Sequence, residues 1–251
     1  MWIKNRNISF LMTSYLICLS LFYHLVLIEA YLREEGLADQ KILFLVEDNM
    51  QSNLAPKPTI KVTAISGSLR KASIHHGLIR SAIDIANQSI DDMSIHFIDI
   101  SSLPMLNTDL ELNDMFPPEV EAFRQTILQS DCFLFASPEY NYTVTAPLKN
   151  AIDWGSRLPN VWADKAAAVV SAGGSFGGGL SQYSLRQCGV YLDLHFVNKP
   201  EFFLNAFDGP AKFDDDGNLI DDEAKERLND VLLALKAFTL RLQGPKFVNG
   251  G

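Results

Sequence analysis

From Thr59 onward, short apolar runs alternate with stretches of helical periodicity, and that alternation narrows the available folds more than any other property of the chain. The runs are 60–66 (IKVTAIS), 94–100 (SIHFIDI), 131–137 (DCFLFAS), 165–172 (KAAAVVSA) and 194–199 (LHFVNK). Between them, Leu78, Ile79, Ala82, Ile83 and Ala86 recur at helical spacing, and Pro117-Pro118 open a helix that runs to Gln129. Pro147, in a first-turn position, starts another that ends near Ser156, and residues 180–191 form the next. A last helix, from Glu223 to about Leu242, lines up Leu228, Val231, Leu232 and Leu235 on one face. Strands separated by whole helices run parallel, because a parallel neighbour needs a crossover that a hairpin turn cannot supply.

Five strands with their crossovers in about 190 residues predict an α/β, flavodoxin-like fold. It is a doubly wound five-stranded parallel sheet of order 2-1-3-4-5 with helices on both faces. Ligands of such sheets bind beyond the carboxyl ends of the strands, where the winding reverses. Three loops meet there: 66–76, 137–146 and 172–179, all rich in Gly, Ser, Asn, Tyr or Pro. The chain divides into a hydrophobic extension and linker (1–58), the folded domain (59–243) and a tail (244–251).

Composition removes several function classes. A net charge of −9, with acidic residues dispersed except for Asp214-Asp215-Asp216 and Asp221-Asp222-Glu223, argues against nucleic acid, which needs a basic face. Cys18, Cys132 and Cys188 have neither metal-ligand spacing nor a disulfide pattern, and a reducing, cytoplasmic setting fits them. No metal site is expected. The segment KFDDDGNLIDDE resembles a calcium loop, but aligning Gly217 as its sixth position puts Lys212 at the first ligand position. His75, His76, His96 and His195 share no ligand spacing.

Residues 8–28 (ISFLMTSYLICLSLFYHLVLI) follow Lys4 and Arg6 and just reach membrane-spanning length. Three readings stay open: an extension outside the functional domain, a membrane anchor, or a cleaved signal. The first is preferred, since Met50 stands ahead of the first strand and a start there yields a compact domain. Membrane contact is expected only through residues 8–28. Secretion is disfavoured by the sequon Asn141-Tyr142-Thr143, whose glycan would stand in the site.

The three loops carry the chemistry. The first offers Ser66, Ser68 and Ser73, the N–H groups of a helix start, and Arg70, a set suited to a phosphate monoester. The second, SPEYNYTVTAPLKNAIDW, supplies Pro138, Glu139, Tyr140 and Asn141, an apolar wall with hydrogen-bonding groups for a flat heterocycle. Glu139 reads as a solvated or salt-bridged acid rather than a catalytic one, and Tyr142 reads equally as packing or ligand contact. The third, SAGGSFGGGL, lets backbone approach a flat ligand closely. It lacks the Gly-x-Gly-x-x-Gly order with a distant acid, so a dinucleotide mechanism is not expected.

The segments SGSLRKAS, SPEYNYTVTAPLKNAIDW and SAGGSFGGGLSQYSLRQ together resemble, in order and spacing, the NADPH-dependent FMN reductase family. The resemblance is nearest to its soluble NADPH:quinone oxidoreductases and covers about residues 59–243. It implies bound FMN, with Ser68, Arg70 and Ser73 holding the phosphate. His75, at a position where the family often has Asn, would be the fourth residue of that set and departs from the family pattern. Pro138, Glu139, Tyr140 and Asn141 would line the isoalloxazine, and Ser171, Gly173 and Gly174 would approach it from the third loop. The implied reaction is two-electron: hydride passes from NADPH, or NADH as the alternative, to FMN and then to a quinone. No protein residue acts as a catalytic nucleophile, because the flavin carries the chemistry. A homodimer or homotetramer is expected. The alternatives are a flavodoxin-type single-electron carrier, or a reductase of azo dyes, chromate or free flavin.

Overall fold

The computed structural model describes residues 59–113 and 115–244. The extension and the end of the tail lie outside the described residues, and with them residues 8–28. Among the described residues, no helix is long and apolar enough to cross a membrane.

The sheet is built on β1 (Ile60–Ser66), β2 (Met93–Ile98), β3 (Cys132–Ala136) and β4 (Lys165–Gly173). Its order is β2-β1-β3-β4-β5, every pairing is parallel, and β5 is Leu194–Phe196. The crossovers are α1 (Ile74–Ser89), α2 (Pro118–Gln129), α3 (Ala146–Ser156) and α4 (Gly179–Leu192), and the domain closes with α5 (Asp222–Gln243).

The fifth position differs from the sequence expectation. It is filled in two pieces: β5 pairs with Lys165–Ala167, and β6 (Phe202–Asn205) pairs with the upper half of β4, Val170 to Gly173. Pro200, between the pieces, has no N–H to give a ladder, and neither piece includes it.

Strand alternation sorts the core by chemistry. Cys132, Leu134 and Ala136 of β3 face α1 and α5, where they join Leu78, Ile79, Leu228, Val231 and Leu235. Phe133 and Phe135 face the other way, toward α2, α3 and α4, with Phe123, Trp162, Leu148 and Leu185. Trp162 lies edge-on to Phe133 at 5.0 Å and to Phe123 at 6.0 Å. Trp154 of α3 is equally buried on that side and donates through its indole nitrogen to the Pro104 carbonyl at 2.7 Å.

α3 is fixed at its far end by a buried guanidinium. Arg124 of α2 donates to the carbonyls of Trp154 (2.8 Å), Arg157 (2.9 Å) and Pro159 (2.8 Å). A cation on the last carbonyls of a helix satisfies groups that have no intrahelical partner. The loop before α3 leads into a helix held at its far end, with Pro147 in its first turn.

Candidate active site

All three loops converge on one cleft of about 420 Å³, the size of a small-molecule site, at the carboxyl edge of β1, β3 and β4. Its walls include Ser68, Arg70, Ser73 and His75 from the first loop. Pro138, Glu139 and Tyr140 come from the second, and Gly173 and Gly174 from the third.

The loops are tied to one another. Thr145 Oγ1 donates to the Gly67 carbonyl at 2.6 Å, so the first and second loops are bonded across the sheet. A Cβ on Gly67 would stand 2.8 Å from Pro138 Cδ, an approach only glycine permits. Ser181 Oγ, in the first turn of α4, lies 3.1 Å from the Ser137 carbonyl and 2.8 Å from that of Gly178. The Thr143 and Ser184 hydroxyls meet at 2.7 Å.

Two helices begin at this cleft. α1 is capped by its own Ser73, whose Oγ accepts from the His75 N–H at 3.2 Å. Among the described residues, no carboxylate pairs with the Arg70 guanidinium beside it. The opening N–H groups of α4 are already engaged: Glu139 Oε2 accepts from Leu180 at 2.8 Å and from Ser181 at 3.2 Å. Glu139, half-buried and without a salt bridge among the described residues, is thus a helix cap reaching from the neighbouring loop.

Two expected residues stand off the cleft wall. Ser171 is fully buried behind the glycine segment, its Oγ donating to the Gly177 carbonyl at 2.6 Å and accepting from Gln182 Nε2 at 2.7 Å. Gly178 passes over it with φ +79°, and a Cβ there would meet Ser171 Cβ at 2.8 Å. Asn141 and Tyr142 form a two-residue turn, both in the left-handed region (φ 53° and 64°), closed by paired Tyr140 and Thr143 hydrogen bonds. That turn exposes Asn141 to solvent and puts Tyr142 on the cleft rim.

Sequence reasoning missed part of the wall. Phe176 and Phe207 line the mouth, half-exposed and exposed respectively, and Phe176 stacks on Phe203 at 5.8 Å. Phe176 is the one aromatic residue within GGSFGGG, a signal that was available; Phe207 follows β6, a strand the pattern did not show.

His75 is 4% exposed and lies at the base of the cleft. Burial, helped by the nearby charges of His76 and Arg70, pushes its pKa from 6.5 down to about 3, so the ring is neutral. A hydrogen bond with the Ser137 backbone works the opposite way, as a carbonyl accepting from a ring N–H does.

A phosphate monoester at one end and a flat ring at the other is the ligand this cleft suits. The model of a known family, NADPH-dependent FMN reductase, matches residues 60–209. The chain belongs to that family. It is 65% identical over 195 residues to an NADPH:quinone oxidoreductase of Arabidopsis thaliana, covering 78% of this chain and 100% of that protein. An NAD(P)H:quinone oxidoreductase of Solanum tuberosum is 65% identical over 191 residues, covering 76% and 98%. Among solved structures, FerB, a flavoenzyme NAD(P)H:(acceptor) oxidoreductase of Paracoccus denitrificans, superposes with a TM-score of 0.62 at 28% identity. That match covers 74% of this chain and 98% of FerB.

Proposed function

We propose that this chain is an FMN-dependent NAD(P)H:quinone oxidoreductase that moves two electrons, as hydride, from NADPH to quinones. One observation carries the reading: a single cleft joins an available helix N-terminus and Arg70 to a slot walled by glycine backbone and aromatic rings. FMN, when bound, supplies the hydride chemistry.

The residues present fit it. Ser68, Arg70 and Ser73 would hold the phosphate, because α1 offers N–H donors while those of α4 are taken by Glu139. Pro138 and Tyr140 would flank the ring, and Gly173 and Gly174, with no Cβ, leave room for it. Glu139, Ser171 and His75 would act on that slot through the backbone they hold, and Asn141 by shaping the turn that carries Tyr142. Tyr142, Phe176 and Phe207 offer flat apolar faces at the mouth, suited to a quinone and to excluding water.

NADPH is the donor, with NADH as the alternative. The chain works as a homodimer or homotetramer, supported by Met105, Leu112, Met115 and Leu158, which are 64–85% exposed near the end of α3. A cytoplasmic setting is supported by the free thiols of Cys132 and Cys188 and by the Asn141 sequon at the cleft.

The test is a visible spectrum of the purified full chain, then NADPH oxidation by a benzoquinone with cytochrome c present to trap one-electron products. A flavin spectrum, quinone-dependent turnover and unreduced cytochrome c are expected. A chain that binds no FMN, or one that reduces cytochrome c as fast as it oxidises NADPH, overturns the reading.

A further inference from the structure

The ladder between β3 and β4 ends early. The strands pair from Cys132 opposite Ala166 up to Ala136 opposite Val170, and Ser137 N–H still donates to the Val170 carbonyl at 3.0 Å. The next parallel rung would run from Ala172 N–H to the Ser137 carbonyl. It is not made. Pro138 turns the chain out of the sheet, and Ala172 N–H donates instead to His75 Nε2 at 3.3 Å. The Ser137 backbone is near enough to the same imidazole to favour its protonated form, against the effect of burial. The backbone N–H of His75 is held by Ser73 Oγ, so this one residue links the first loop to the other two.

We propose that His75 is a positioning residue whose neutral imidazole replaces the missing rung, accepting from Ala172 N–H and donating from Nδ1 to the Ser137 carbonyl. One ring width then separates β3 from β4 where the cleft opens, and this sets the spacing between the phosphate loop and the glycine segment. Only the neutral ring protonated at Nδ1 can do this, because protonation at Nε2 removes the acceptor that Ala172 needs. The groups around it agree. His76 on α1 and Arg70 before it both oppose a second cation. Glu139 lines the same cleft but its carboxylate is turned to α4, and β4 brings only Ser171, Ala172 and Gly173 at this level.

The experiment is long-range proton–nitrogen NMR of the full chain with labelled histidine and no added flavin, the His75 signal being assigned with His75→Gln. Of the five imidazoles, that of His75 is expected to stay neutral with its proton on Nδ1 from about pH 8 to about pH 5. A His75 signal titrating near 6.5, or carrying its neutral proton on Nε2, overturns the proposal.

The consequence for binding rests on the flavin reading and is tested separately by titrating FMN fluorescence. His75→Gln, which keeps an acceptor, should stay within about threefold of the wild-type Kd, while His75→Leu should weaken it by about tenfold. Equal affinity of the Gln and Leu variants overturns the positioning role. A wild-type chain that fails to bind FMN overturns the flavin reading and leaves the tautomer result standing. If His75→Leu does not fold, the NMR result decides.

Discussion

Helices α1 and α4 both start at the cleft, and each brings N–H donors that lack an intrahelical partner and the positive end of a dipole. The sequence marks the first with Ser73 and Arg70, residues that cap a helix and attract an anion. It leaves the second to Gly178 in a left-handed turn, and the cap comes from Glu139, 41 positions away in the chain. One N-terminus thereby carries no carboxylate, while the other is closed by the protein's own. Helix termini in a cleft are not equivalent anion sites, and what separates them is a contact invisible along the chain.

Breaking the open end should have the largest effect. Arg70→Ala removes one charge-assisted contact and should weaken FMN binding by about 2 kcal/mol, some thirtyfold in Kd by fluorescence titration. Melting of the flavin-free chain should hardly change. Unaltered affinity would mean that the phosphate lies elsewhere.

Opening the closed end should matter less and act on a different quantity. Glu139→Ala strips α4 of its cap and should lower stability by about 1 kcal/mol, or about 2–4 °C in Tm followed by circular dichroism. The freed amides should also make inorganic phosphate protect the variant more than it protects the wild type. If phosphate protects both alike, Glu139 is not what separates the two helix starts. The smallest change is expected for Ser73→Gly, which keeps a tolerable cap and should cost about 0.3 kcal/mol in stability, with FMN affinity falling about threefold.

Much of the fold was legible because burial and crossover geometry write themselves into local patterns. The run 60–66 became β1 without change, and the helix from Pro147 to Ser156 became α3 with one residue added at its start. The fifth strand was legible only to Phe196, since nothing local says that Phe202 to Asn205 would return to pair beside the same β4. In the cleft, Ser68, Arg70, Ser73, Pro138 and Tyr140 stand where the loop pattern put them, being fixed by the ends of strands. Ser171 shows the limit. Strand alternation gives its direction, but the glycine segment that covers it folds back through Gly177 and Gly178, and that path depends on Gln182 one helix turn beyond. His75 shows another, because its partner Ala172 is 97 positions away.

The division of the core into two chemically distinct faces has a spectroscopic side. Trp162 lies among the phenylalanines on the side of α2, α3 and α4, Trp154 sits on α3 edge-on to Phe116, and the face packed by α1 and α5 has no tryptophan among the described residues. Emission from these indoles therefore reports on one half of the interior. Loosening of α1 or α5 alone would leave it nearly silent, so a fluorescence trace and a backbone signal need not agree during unfolding. Their disagreement would identify which side of the sheet gives way first.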